Sequence, residues 1–230
     1  MDSSKLFAVI TGDVAGSRRL EGDQRRQLLN EIHHAFSNVD EILGKEAIAF
    51  PFEIFRGDSF QGVLQNPVLS LRAAIVIRAS IRKAFPTTLK DAFDARIAIG
   101  IGTIDLLPGQ HGGEGDGEAY RNSGPYLDKM NQTKSFLSII TPVEEHNREL
   151  QVEGALLDTI IARWTPAQAE AVFEYFKGKT QEEMAERFNI SQPGIRKRLL
   201  SANMPAIQMM ENRFIELIEN ETQHYNPVRL

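Results

Sequence analysis

The sequence predicts an α+β chain in two parts: mixed strands and helices over residues 1–163, then helices alone over residues 164–230. Three observations predict it. Up to about residue 163, short apolar runs rich in Val, Ile and Phe alternate with longer runs of helical spacing. Beyond Trp164 the Val, Ile and Gly strand signals stop and helical spacing continues to the end. Residues 179–200 carry cap and turn residues where two short helices joined by a tight turn require them.

Residues 5–11 (KLFAVIT), closed by Gly12 and Asp13, have the make-up of a buried strand. Residues 23–43 place Leu28, Leu29, Ile32, Phe36, Val39, Ile42 and Leu43 on one side of a helix, with Asp23 as N-cap. Residues 47–55 and 59–64 are two strands joined at Arg56, Gly57 and Asp58, which reads as a hairpin. An amphipathic helix follows over 67–85 and a strand over 93–104 (FDARIAIGIGTI), whose glycines leave one side closely packed or facing a ligand. Residues 108–117 (PGQHGGEGDG) are loop by composition. A helix over 118–132, a strand over 135–141 and a helix opened by Pro142 and reaching about Arg163 complete this part.

The order β-α-β-β-α-β, then α-β, is that of a ferredoxin-like split βαβ with an added αβ unit, its helices covering one face of a mainly antiparallel sheet. After Trp164, Thr165 caps and Pro166 opens the first of four helices, over 166–176, 180–188, 192–202 and 204–222. The boundary between the two domains falls near residue 163.

Composition narrows the function. The 26 Lys and Arg against 31 Asp and Glu leave a net charge of −5, which argues against a chain that coats nucleic acid along its whole length. The absence of cysteine excludes disulfides, thiolate chemistry and Cys-ligated metals, and favours the reducing cytoplasm. The start (MDSSKLFAVITGD) lacks the pattern of a signal peptide, and no apolar run has the length of a membrane span. The five histidines form no zinc pattern, His33 and His34 being adjacent.

Residues 179–200 (KTQEEMAERFNISQPGIRKRLL) have helix-turn-helix spacing. Met184, Ala185, Phe188, Ile190 and Ile195 are its inward positions, Asn189 suits a left-handed turn residue, and Ser191 caps a second helix with Pro193 in its first turn. On DNA, Gln192 and Arg196 would reach base edges from the major groove, with Lys179, Lys197 and Arg198 nearer phosphate and Ser191 also among the DNA-binding residues. Six basic residues stand against three acidic ones over 177–198, so this motif is locally +3 within an acidic protein. Residues 165–202 resemble the promoter-reading helix-turn-helix domain of sigma factors and related response regulators. The stripe Ile207, Met210, Phe214, Leu217 and Ile218 on the last helix closes a core or forms a dimer seam, and a homodimer would suit palindromic DNA.

In the first part, Asp13 (VITGDVAGS) and Asp58 (FEIFRGDSF) follow strands that the split βαβ order brings together. Two converging carboxylates suit Mg²⁺ with a phosphate substrate, and Gly12, Gly16 and Ser17 could offer backbone N–H groups to phosphate. The competing reading is turn chemistry, the aspartates capping backbone N–H groups. With RIAIGIGT, these motifs resemble the class III nucleotide cyclase core, in which paired aspartates hold the metals. The fuller likeness is to the SatD family of bacterial proteins, through VITGDVAGSRRL, RGDSFQ, ARIAIGIG and DGEAYRNSG, over most of residues 5–140 and into the helix-turn-helix. Cyclases also carry an Asn and, four residues on, an Arg. Here Asn122 is followed at that spacing by Tyr126, Gly124 and Pro125 interrupt the helix, and Arg121 would need a shift in register.

The sequence therefore predicts a cytoplasmic, DNA-binding transcriptional regulator whose cyclase-like domain is a non-catalytic sensor or assembly module. Its expected partners are double-stranded DNA, a second copy of itself and a nucleotide ligand, with Mg²⁺ the one cofactor implied; no membrane is expected. Two alternatives are a metal-dependent nucleotide-binding or cyclase-like enzyme, and an assembly protein that does not bind DNA.

Overall fold

A computed structural model describes residues 5–85, 93–109 and 114–225. The glycine-rich loop expected over 108–117 lies partly outside them, at 110–113. The described residues form a mixed α+β structure around a five-stranded sheet of order β2-β3-β1-β4-β5. The strands are β1 (Phe7–Ala15), β2 (Ile48–Arg56), β3 (Ser59–Leu64), β4 (Asp94–Gly102) and β5 (Leu137–Ile140). β1 pairs antiparallel with β3 and β4, β2 antiparallel with β3, and β5 runs parallel to β4.

Alternation along β1 decides what each face of the sheet meets. Ala8, Ile10 and Val14 enter the main core with Leu28, Ile32 and Phe36 of α1 (Gly22–Leu43) and with α2 (Ser70–Ala84). Phe7 and Val9 join a smaller cluster with Val63, Ile104 and Ala119 on the reverse face. There α3 (Glu118–Arg121) and α4 (Gly124–Thr133) lie against β4. A Cβ at Gly100 would stand 2.2 Å from the Ala119 carbonyl oxygen, so the glycines of β4 admit the helix backbone itself. Close packing thus accounts for Gly100 and Gly102.

Two local expectations are corrected. The helix over 118–132 is two helices, broken at Asn122 and Ser123 because Pro125 sits in the first turn of the second and has no N–H to donate. Asp23 is inside α1, where it pairs with Arg26 at 3.4 Å; Glu21 holds the N-cap position and its side chain caps nothing.

The larger surprise is α2, whose spacing predicts an amphipathic helix with one wet face. Its residues from Ala73 to Arg82 are all buried, since α6 (Pro166–Phe176) and α9 (Met204–His224) cover the face turned from the sheet. One hydrophobic cluster runs from Ile10 and Ile99 through α2 to Phe173, Met184, Ile195 and Phe214.

Two arginines of α2 join a buried ion network with β4 and α5. Arg78, 1% exposed, is bidentate to Asp94 at 3.0 and 2.8 Å and reaches Asp158 of α5 (Glu144–Ile161) at 2.6 Å. Burial works against its charge, but the two carboxylates outweigh that and raise its pKa. Arg82 pairs with Asp94 and donates to the carbonyls of Ala162 and Trp164, and the Trp164 indole donates to the Ala202 carbonyl. Asp158 also accepts from the N–H groups of Phe136 and Leu137 at the start of β5. This network ties α2 and β4 to α5 and to residues 162–164.

Candidate functional site

β1, the β2–β3 hairpin and α4 enclose a cavity of about 640 Å³, and Asp13 and Asp58 both line it. They arrive because Asp13 sits on the reverse face of β1 while Asp58 occupies the hairpin turn, where Gly57 has a φ of 67°. Neither carboxylate is free. Arg96, opposite Asp13 in the β1–β4 register, holds both of its oxygens at 2.7 Å. Asp58 accepts from the Val14 backbone N–H at 3.0 Å and lies 3.9 Å from Arg25.

The cavity wall carries Arg18, Arg25 and Arg56 as well as Asp128, and no group of three or more metal-ligating side chains occurs among the described residues. Mg²⁺ with a nucleotide is what the cyclase resemblance implies, and the donor set does not fit it. An ion on Asp13 would have to displace a bidentate guanidinium, Asp58 is engaged by the Val14 N–H, and Arg18, Arg25 and Arg56 line the same wall as Asp128. The wall as built suits an anion.

Gly12, Gly16 and Ser17 are not among the residues lining this cavity. Gly12 faces the main core, where a Cβ would stand 2.4 Å from the Phe60 ring. Gly16, with a φ of 87°, starts a short turn of 3-10 helix, and buried Ser17 follows it, its carbonyl accepting from Leu20. Asn122 donates its amide to the Ile101 carbonyl, and exposed Arg121 pairs with Asp105 and Asp116.

A polar chain crosses the cavity floor and has one permitted direction. The Tyr120 carbonyl can only accept, so Ser123 Oγ donates to it at 3.3 Å, Thr11 Oγ1 donates to Ser123 at 3.2 Å, and Gln61 Nε2 donates to Thr11 at 2.9 Å. The Gln61 amide is thereby oriented, and its buried Oε1 has no partner among the described residues. The Tyr120 hydroxyl is likewise buried and unpartnered, and burial pushes its pKa up to about 12, so it stays protonated. An unmet buried polar atom costs about 1–3 kcal/mol.

Residues 179–200 form a second candidate surface. Thr180 and Glu183 make a capping box at the start of α7 (Gln181–Phe188), which sequence reading passed over although Thr-x-x-Glu is its signature. Asn189 has φ 50° and ψ 47°, and the Ser191 hydroxyl accepts from the Gly194 N–H to cap α8 (Gln192–Ser201). Met184 and Ile195 are buried between these helices and their neighbours. Of the basic residues, Lys177 pairs with Glu41, Lys179 with Glu183 and Arg187 with buried Glu174. Gln192 donates to Gln181 at 2.7 Å, and Arg198 is half-buried over the Phe188 ring. Arg196 and Lys197 are exposed, with no ion pair among the described residues.

Sequence reading missed Arg25, Arg56, Phe55, Gln61, Tyr120 and Arg96. Gln61 alone left a local signal, a polar residue inside an apolar strand; the others are brought in by pairing register and helix packing.

The SatD family model matches residues 7–217. A search of curated proteins finds none similar. Among solved structures, the active GGEEF domain of a diguanylate cyclase from Vibrio cholerae is similar at 16% identity, 61% of this chain and 85% of that one, with a TM-score of 0.43. A bacterial light-regulated adenylyl cyclase is similar at 12% identity, 58% of this chain and 74% of that one, with a TM-score of 0.41.

Proposed function

The chain belongs to the SatD family, and we propose that it is a DNA-binding transcriptional regulator. In this reading α7 and α8 are a helix-turn-helix, residues 164–230 are its domain, and residues 1–163 are a cyclase-like, non-catalytic sensor. The observation that carries it is the selective exposure of Arg196 and Lys197 on a capped second helix, while three other basic residues of the motif are neutralised within the chain. Gln192, near the N-terminal end of α8, faces bases beside the Ser191 cap; Arg198 flanks the backbone, and Lys179 joins it by exchanging Glu183 for phosphate. Two copies bind a palindromic site.

Fluorescence anisotropy against a pool of random duplexes at low salt tests this. The double variant Arg196→Ala with Lys197→Ala should lower the slope of log affinity against log salt by about 1 for each phosphate contact removed. If the intact protein has no affinity for duplexes even at low salt, the reading is wrong. Light scattering with and without DNA measures the dimer.

The meeting of Asp13 and Asp58 in one cavity favours a second reading, a metal-dependent nucleotide enzyme. It requires nucleoside triphosphate turnover that vanishes in Asp13→Asn and Asp58→Asn. Exposed Leu200, on α8 beside Arg196 and Lys197, favours assembly without DNA, in which a partner copy covers that helix.

A further inference from the structure

The cavity at the hairpin joins features that the DNA reading leaves unused. Arg18 and Arg56 are exposed on its wall with no ion pair among the described residues, and Arg25 is held beside them, donating to the Ser17 carbonyl at 3.4 Å and standing 3.9 Å from Asp58. Three guanidiniums around one opening are a site for phosphate, which takes planar, paired N–H donors. Phe55, also lining the cavity, is 48% exposed. An aromatic ring left in water beside arginines is a stacking surface for a flat ligand ring.

The floor adds hydrogen-bonding selectivity. The one-way chain from Gln61 through Thr11 and Ser123 leaves Gln61 Oε1 as an acceptor in need of a donor, and the protonated Tyr120 hydroxyl lies unpartnered in the same wall. A heteroaromatic ring edge supplies the donor, and Asp128 can accept from sugar hydroxyls at the rim. A volume of about 640 Å³ is ample for a ligand of that size.

We propose that this cavity binds a nucleotide without a divalent metal ion, Arg18, Arg25 and Arg56 taking the phosphates and Phe55 stacking on the base. The bidentate Arg96–Asp13 pair is then part of the frame: it neutralises the carboxylate that would otherwise repel phosphate. Ligand binding rests on the cavity alone; its regulatory use rests on the sensor reading, so binding is measured without DNA.

The test is isothermal titration of the full chain with ATP, GTP and inorganic pyrophosphate, each in excess EDTA and in excess MgCl₂. Binding of at least one nucleotide in EDTA is expected. Arg18→Ala and Arg56→Ala, both at exposed positions, should each weaken it about tenfold, the loss of one charge-assisted contact. Phe55→Ala should weaken nucleotide binding by a similar factor and leave pyrophosphate binding unchanged. No binding by any of the three probes, binding that requires Mg²⁺, or binding unchanged in both arginine variants would each overturn the proposal. If duplex binding fails while ATP or GTP still binds in EDTA, the DNA reading falls and the nucleotide site stands.

Discussion

Two clusters of arginine and aspartate contrast within the same sheet-and-helix framework. On α2, Arg78 and Arg82 are buried and meet two carboxylates and two backbone carbonyls. At the hairpin cavity, Asp13 and Asp58 are engaged by the protein while Arg18 and Arg56 are not. The same residue types give a clamp in which, of the guanidinium nitrogens of Arg78 and Arg82, Arg82 Nε alone lacks a partner among the described residues, and a receptor where whole guanidiniums are left over. What separates them is whether β4, α5 and the residues after α5 bring partners to the guanidiniums or leave them open to the cavity.

The contrast is sharpest at Arg78. Arg78→Met leaves Asp94 and Asp158 buried with weakened compensation and should lower unfolding free energy by about 3–5 kcal/mol, read from urea midpoints. A loss below about 1 kcal/mol would show that the clamp does not hold α5 to α2 and β4.

Asp13 tests which side of the contrast the Arg96 pair belongs to. As half of a bidentate pair, Asp13→Asn should cost about 1–3 kcal/mol in metal-free buffer. A carboxylate kept for a metal would instead leave metal-free stability unchanged or higher, since removing it relieves repulsion from Asp58.

A third buried acid probes the seam between α5 and α9. Glu221 lies among Thr141, His146 and, further off, Glu118, and burial holds its carboxyl above the ordinary 4.5 against the hydrogen bonds from Thr141 and His146. The folded chain thus keeps a proton that the unfolded chain has released. This group's contribution is complete below about 4.5 and declines as pH rises through the raised value. Glu221→Gln should therefore gain stability relative to the parent as pH climbs from 4.5 towards neutrality. A difference that stays constant across thermal melts in that range would show Glu221 to be ionised throughout.

The smallest expected effect is at the open cluster. Arg18→Ala and Arg56→Ala should each shift unfolding free energy by less than about 0.5 kcal/mol, because nothing buried depends on them. A larger loss would erase the distinction between clamp and receptor.

Much of this molecule is local and therefore legible. Residues 166–176 stand as α6 with the Thr165 cap in place, and Asn189 and Ser191 take the turn and cap roles that their chemistry predicts. A short apolar run placed β1, the turn at Gly57 placed β3 and alternating apolar residues placed β4, each within a few residues. The cavity was legible only in part. Asp13 and Asp58 stood out because each follows a glycine after an apolar run, but β1 continues past Asp13 to Ala15, and their partners, Arg96 and Val14, come from pairing across 83 and 44 residues.

The sequence by itself determined the α+β order of elements, the helical ending and the capped turn before α8, because caps, turns and hydrophobic periods act within a few residues. Only the tertiary structure decided that α2 is buried all round, that Arg78 is a clamp while Arg18 and Arg56 stay free, and that Asp13 faces a guanidinium. The physical reason is the same in each case: burial and ion pairing depend on which distant element arrives to cover a face, and neither composition nor spacing records that arrival.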